Sequence, residues 1–455
     1  MSDMTAEAAE NAFLPGGRRR HRKPRQNATG TGLRRALVVA LAVPVVSAAV
    51  SGPSAFAAGK GSGATAKPDR PDPADQRMAK NLASRVLDQR LGSHVSGVVL
   101  DAASGKTLWG HNASTALMPA SNAKLVTSTA ALTVLGPDHR FTTKVVYGDG
   151  TLTLVGGGDR TLTTADLTEL ARTAVAGLKA AGLSSVKVAV DDSLFPAPTL
   201  ATGWNDGYYP DTVAPVRALV VDGHGVQDTS VDAGQVFARQ LAASGVAVTG
   251  DVTRATARTT DVPVAQHTSG PLSGIVRTML KHSDNDIAET LLRMTALAAG
   301  HPATFEGGTE AVRHVLSTVY GVSLAHFELH DGSGLSRSDR IPAATLAQVL
   351  ELPTRHQYAQ TLAAVLDGLP VAGDADGTLG PDYGRFDDAD SRCAVGKVRA
   401  KTGTLTGALA LSGLTQGKDG RWKVFSFVEN GATADPDATK DALDGLAATV
   451  NGCYA

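Results

Sequence analysis

An apolar run, Val95 to Leu100, and a second, Thr107 to Trp109, flank Asp101-Ala102-Ala103-Ser104-Gly105, a pattern that predicts strand, turn, strand. Pro119 then precedes a helical stretch, Ser121 to Leu135, which Gly136-Pro137 stops. From Phe141 to about Val262 short β runs (Lys144–Tyr147, Thr151–Val155, Val186–Val190) alternate with helical stretches such as Leu167–Ala181, and this change of texture predicts an inserted α/β domain. Helical periodicity resumes over Leu272–Ala299 and Gly307–Val319. Two strand segments, Val398–Leu414 and Trp422–Val428, and a last helix, Ala438–Val450, close the chain. Early strands, central helices and late strands plus a helix predict terminal segments that complete one sheet. No internal repeat is present.

Composition places this pattern in an exported globular protein. The chain has 455 residues, 42% hydrophobic and 19% charged, enough to bury a core in two or three domains. The formal net charge is −1, but eight Lys/Arg against three Asp/Glu lie in the first 35 residues, and without residues 1–57 the balance is 35 basic to 41 acidic. An acidic body excludes a nucleic-acid binder, because phosphate neutralisation needs clustered cations on the folded part. After Arg34-Arg35, the uncharged run Ala36–Val50 and the small-x-small Ala55-Phe56-Ala57 predict a signal peptide cut near Ala57. An uncleaved anchor is the alternative, and the only route to membrane association; the run is short of the about 20 residues that a spanning helix needs. Residues 58–77 read as a linker, with folded structure from near Met78. Cys393 and Cys453 are either a disulfide joining the C-terminus to a late strand or two buried thiols. Neither sits in a metal-ligand pattern, so no metal and no cofactor is expected.

The chemistry starts at Ser121-Asn122-Ala123-Lys124, where i, i+3 spacing puts a hydroxyl and an amine on one helix face. The helix N-terminus disfavours the ammonium form, which suits a lysine base. Ser-x-x-Lys is a weak signal by itself: a second copy, Ser184-Ser185-Val186-Lys187, runs into an alternating strand, and a capping serine explains the first. Ser283-Asp284-Asn285 and Lys401-Thr402-Gly403-Thr404 follow in chain order, and that ordered set is the signature of penicillin-binding proteins and class A β-lactamases. A polar turn and an edge strand explain the later two motifs singly, but neither predicts the set. In acyl transfer Ser121 attacks after losing its proton to Lys124, and the backbone amides of Ser121 and Thr404 are the expected oxyanion donors. Ser283 passes a proton to the leaving amine, Asn285 holds Lys124 and the substrate backbone, and Lys401 faces an anionic substrate end. Gly403 is expected to leave room for the acyl group, with the Thr402 and Thr404 hydroxyls meeting a terminal carboxylate. His282, Asp284 and Asp286, beside the second motif, read as structural.

From about Met78 to Cys453 the chain resembles the D-Ala-D-Ala carboxypeptidase/endopeptidase family of low-molecular-mass class C penicillin-binding proteins. Met118-Pro119-Ala120-Ser121-Asn122-Ala123-Lys124-Leu125 resembles the family's nucleophile helix, and Arg140-Phe141-Thr142-Thr143 the segment after it. Asp331-Gly332-Ser333-Gly334-Leu335-Ser336 resembles a loop carried between the second and third motifs. Gly156-Gly157-Gly158-Asp159 resembles the family's glycine turn, with Arg160 where proline is usual; no Gly-Lys-Ser/Thr follows it, so it is not a phosphate loop. The resemblance implies an α+β fold: a β-lactamase/transpeptidase-like domain (78–138 and 265–455) split by a smaller α/β insertion (139–264). The short passage from Val213-Ala214-Pro215-Val216 to Phe237–Val248 implies that a second, nested insertion of some members is missing. Also implied are extracytoplasmic action on peptidoglycan stem peptides through an acyl-enzyme, no metal, and covalent inhibition by β-lactams. Two rivals remain. A β-lactamase needs a Glu-x-x-x-Asn element, which does not occur between Asn285 and Lys401, and an idle wall-binding protein needs neither Ser121 nor Lys124.

Overall fold

The computed structural model describes residues 72–454, so the expected signal peptide lies outside the described residues. Strands β1 (Val95–Asp101) and β2 (Thr107–His111) form the early hairpin, and a short β3 (Ala116–Leu117) follows. Next come β4 (Thr142–Gly148), β5 (Thr151–Val155), β6 (Ser185–Asp191), β7 (Ala247–Val248), β8 (Thr253–Arg254) and β9 (Val262–Thr268). The series ends with β10 (Ile341–Pro342), β11 (Val398–Leu405), β12 (Ala408–Gln416) and β13 (Trp422–Asn430). The helices are α1 (Pro73–Arg85), α2 (Ala123–Leu135), α3 (Thr164–Ala180), α4 (Thr229–Ala243), α5 (Leu272–His282), α6 (Asn285–Ala298), α7 (Phe305–His314), α8 (Ala343–Glu351), α9 (His356–Asp367) and α10 (Pro436–Asn451).

Early and late strands pair, as expected of terminal segments completing one sheet: the order is β11-β12-β13-β1-β2, antiparallel throughout. All seven residues of β1 are buried because both faces of the sheet are covered. Val98 and Leu100 pack with Leu125, Val126 and Leu132 of α2 and with Leu346 and Leu350 of α8. Val95 and Val99, on the alternate positions, pack with Leu82 of α1 and Leu443 and Leu446 of α10. Each fully buried aliphatic side chain of this kind contributes about 1.5–3 kcal/mol. The hairpin turn is held by Asp101, whose Oδ1 accepts from Ala103 N at 3.2 Å and Ser104 N at 3.0 Å.

A second sheet, β7-β6-β5-β4-β9 with β8 beside β6, is mixed, and its core of Val145, Leu152, Leu154, Val188, Leu170 and Phe237 joins it to α3 and α4. β9 runs on to Thr268, four residues past the expected boundary at 264. Helix α1 begins at Pro73, inside the stretch read as linker, with the Asp72 carboxylate accepting from Ala74 N at 2.7 Å.

Three expectations change. The segment Val398–Leu414 is a hairpin of two strands, because Gly407 takes φ +72 and turns the chain. The stretch Leu272–Ala299 is two helices, broken at Ser283 in the left-handed region (φ 59, ψ 37), where Asp284 caps α6 by accepting from Ile287 N at 2.8 Å. Cys393 and Cys453 are bonded, with Cα atoms 5.8 Å apart, but Cys393 lies in the 3-10 turn Arg392–Ala394 rather than in a strand.

Candidate active site

Ser121 sits in a 3-10 turn, Ala120–Asn122, that leads into α2, and Ala120 before it has a left-handed backbone, φ 45. One helical turn on, Lys124 is fully buried and its Nζ donates to three acceptors: Ser121 Oγ at 3.0 Å, Asn285 Oδ1 at 2.8 Å and the Ser333 carbonyl at 2.8 Å. Asn285, the first residue of α6, in turn donates from Nδ2 to the Thr212 carbonyl at 3.0 Å. The α5/α6 break is what turns Ser283 inward: its Oγ accepts from Lys401 Nζ at 2.9 Å, and the same amine donates to the Thr402 carbonyl at 2.8 Å. First, second and third motifs thus converge as two lysine-serine pairs, Lys124 with Ser121 and Lys401 with Ser283.

β11 is the edge strand, and its register divides the third motif between two faces. Gly403 lies opposite Ala410, of the α2-side core, whereas Thr402 and Thr404 lie opposite Leu411 and Leu409, of the α10-side core. Lys401 and Gly403 therefore share the face towards Ser121. A Cβ on Gly403 would lie 2.7 Å from the Pro119 carbonyl and 2.9 Å from Asn122 Nδ2. Glycine is required here for the strand to approach the Ser121 turn, a different reason from the expected room for an acyl group. The Thr402 hydroxyl is buried and bonded to Thr378 Oγ1 at 2.7 Å, and Thr404 is exposed. Ala400 N, on the same alternation, donates away from the sheet to the Pro370 carbonyl at 2.9 Å, so the Thr404 amide also faces outward from the edge.

A family model described as the D-Ala-D-Ala carboxypeptidase 3 (S13) family matches residues 78–226 and 223–450, a span that holds all three motifs. The chain belongs to that family. It is 35% identical over 408 residues to "Carboxypeptidase DacB" of Mycolicibacterium smegmatis, covering 84% of this chain and 85% of the relative. It is 30% identical over 463 residues to a D-alanyl-D-alanine carboxypeptidase of an Actinomadura species, covering 80% and 83%. The fold matches the crystal structure of penicillin binding protein 4 from Haemophilus influenzae at a TM-score of 0.68, with 24% identity over 82% of this chain and 98% of that one. The same protein complexed with a β-lactam matches at 0.61, with 25% identity.

Burial dominates the electrostatics of this S13 site. It pushes the Lys124 amine down to about 8, against the pull of the Asp331, Glu289, Asp284 and Asp286 carboxylates. Burial also pushes Lys401 well below the usual lysine range, helped by the positive charges of Lys124 and Arg385. Asp286 is raised by burial and pairs with Arg160, Nη2 to Oδ1 at 3.1 Å, so the arginine that replaces proline in the glycine turn reaches the residue beside Asn285. The turn is a packing device: a Cβ on Gly157 would lie 2.0 Å from the Thr142 carbonyl, and one on Gly158 2.6 Å from Met294 Sδ of α6. Lys187 of the second Ser-x-x-Lys is exposed on β6, remote in the chain from any helix N-terminus.

Sequence reasoning passed over four groups. Asn122 Nδ2 donates to the Lys401 carbonyl at 3.3 Å and ties the first motif to the third. Glu289, one turn after Asn285 on α6, carried a readable i, i+4 signal. Thr378 and the Thr212 carbonyl, brought in by loops, carried none.

Proposed function

We propose that this S13 carboxypeptidase hydrolyses the D-Ala-D-Ala end of peptidoglycan stem peptides through an acyl-enzyme on Ser121. The observation that carries the reading is the buried Lys124 Nζ bonded at once to Ser121 Oγ, Asn285 Oδ1 and the Ser333 carbonyl. In its neutral form the amine keeps two N–H donors for Asn285 and Ser333 and presents a lone pair to the Ser121 hydroxyl. Lys124 takes that proton as Ser121 Oγ bonds to the carbonyl carbon between the two D-alanines. The oxyanion receives the Ser121 and Thr404 amides, donors of the kind worth about 2.7–4 kcal/mol each in acyl transfer. Ser283, held by Lys401, gives its proton to the departing D-Ala amine and takes the one carried by Lys124, so that Lys124 is neutral again. Lys124 then takes a proton from water as the water oxygen bonds to the acyl carbon, and gives that proton to Ser121 Oγ as the shortened peptide leaves. Lys401 supplies positive charge for the terminal carboxylate, and the exposed Thr404 lies farther along the same edge strand, whereas the Thr402 hydroxyl, bonded to Thr378, faces away from the substrate. The same steps on a cross-link between stems are an endopeptidase reaction, and on a β-lactam they leave a covalent adduct.

Residues 139–264, with their own sheet and core, are read as the inserted domain, and 78–138 with 265–455 as the catalytic one. A peptidoglycan substrate places the enzyme outside the cytoplasm, with export through the leader cut near Ala57 or attachment through it if uncut. Among the described residues no helix is long and apolar enough to cross a membrane.

Intact mass after incubation with benzylpenicillin tests the assignment. Wild type gains one adduct and Ser121→Ala gains none, and wild type alone releases D-Ala from a D-Ala-D-Ala peptide. An unmodified wild type with intact antibiotic would point to an idle binder, and with hydrolysed antibiotic to a β-lactamase.

A further inference from the structure

Helix α6 meets Lys124 twice. Asn285 accepts from it directly, and Glu289, four residues on and on the same helix face, reaches it through one intervening residue, Ser333. The Glu289 carboxylate accepts from Ser333 N at 2.7 Å and from Gly332 N at 3.0 Å, and the Ser333 carbonyl is the third acceptor of Lys124. The rest of the loop is held with equal care. Asp331 accepts from Gly334 N, Ser336 N and Trp204 Nε1, each at 2.7 Å, and Thr127 of α2 donates to the Gly332 carbonyl at 2.7 Å. Gly334 has φ +82, and a Cβ there would lie 1.9 Å from the Ala120 carbonyl, so the loop also backs the turn that carries Ser121.

Glu289 and Asp331 are both 0% exposed. Two neighbouring buried carboxylates are a costly way to hold a loop that neutral groups would hold as well. What the arrangement secures is the place of one carbonyl oxygen, 2.8 Å from the amine. We propose that Glu289 is a positioning residue for Lys124: by gripping the Gly332 and Ser333 amides it fixes the Ser333 carbonyl, and the two fixed acceptors aim the Nζ lone pair at Ser121. The inference rests on the reading of Lys124 as the base. The charged groups facing Lys124 are Glu289 and Asp286 of α6, Asp284 at its N-cap, Asp331 of the loop and Lys401 of β11; those facing Glu289 are Asp331, Asp339 and Arg293.

The test measures the rate of benzylpenicillin acylation against pH, together with Tm, for the full chain and for Glu289→Gln and Glu289→Asp. Glu289→Gln is expected to fold and to acylate about 10- to 100-fold more slowly, the loss typical of a slightly misplaced reacting group. Its acid limb shifts to lower pH, because a negative charge that favoured the ammonium form is gone. Glu289→Asp keeps the charge but loses reach, so it is slow with the limb at the wild-type pH. A Gln variant with the wild-type rate and limb overturns the proposal. So does a lowered Tm with unchanged rate and limb, or failure of both variants to fold, since Glu289 would then serve the fold alone. A wild type that never acylates removes the base assignment itself, which separates the two failures.

Discussion

As the proposed base, Lys124 is expected to set the pH at which the site works. Burial lowers its pKa to about 8, and the mechanism needs the neutral amine, so the acylation rate is expected to climb as pH rises through about 8 and then level. Stopped-flow acylation with a fluorescent penicillin reads this; a rate already flat below that pH would exclude Lys124 as the base. Gly403 is decided by its neighbours. Gly403→Ala drives a methyl into the Pro119 carbonyl and Asn122, so a Tm loss equivalent to about 1–3 kcal/mol should accompany slow acylation. An unchanged Tm with slow acylation would restore the idea that glycine makes room for the acyl group. At this scale the sequence was informative where spacing is local: Ser121 and Lys124 are one turn apart, and their contact follows from helix geometry. The pairing of Lys401 with Ser283 joins residues 118 apart, and no spacing rule predicts it.

At the scale of elements, the break between α5 and α6 matters most. An uninterrupted helical pattern over Leu272–Ala299 describes the apolar face correctly, and Ile275, Val276, Met279, Leu291 and Leu292 are indeed buried. It misses the left-handed residue, because Ser-Asp-Asn inside a helical pattern reads as well as a solvated turn of helix. The break is useful: it lifts Ser283 towards Lys401 and starts a new helix with Asn285 facing Lys124. The left-handed backbone costs about 1–2 kcal/mol for a residue with a Cβ and almost nothing for glycine. Ser283→Gly should therefore be more stable than Ser283→Ala by about 1 kcal/mol in urea unfolding, while both acylate slowly. Equal stabilities would mean that the backbone at 283 relaxes once the hydroxyl is gone. The β11–β12 hairpin shows the same limit, since a run of threonine, glycine and small apolar residues passes through the turn at Gly407 without a charged or proline break to mark it.

At the scale of the molecule, the first and last segments of the catalytic sheet depend on each other. β1 pairs with β13 over seven residues, and the Cys393–Cys453 bond closes a separation of 60 residues between the turn before β11 and the end of α10. Closing a loop of that length restricts the unfolded chain by about 4 kcal/mol. Replacing both cysteines by serine is expected to lower the urea midpoint accordingly and to leave the acylation rate of the folded enzyme unchanged, because neither sulfur touches the site. A large loss of rate would show that the bond also holds β11 in place. What the sequence by itself determined was the α+β class, the terminal segments meeting in one sheet, and the three motifs in order, since each rests on periodicity or short spacing. What only the tertiary structure decided was which amine meets which hydroxyl, that the cysteines bond, and that Thr378 and Thr212 stand behind the motifs. Those contacts cross from one element to another, and their geometry is set by the packing of faces rather than by any local pattern.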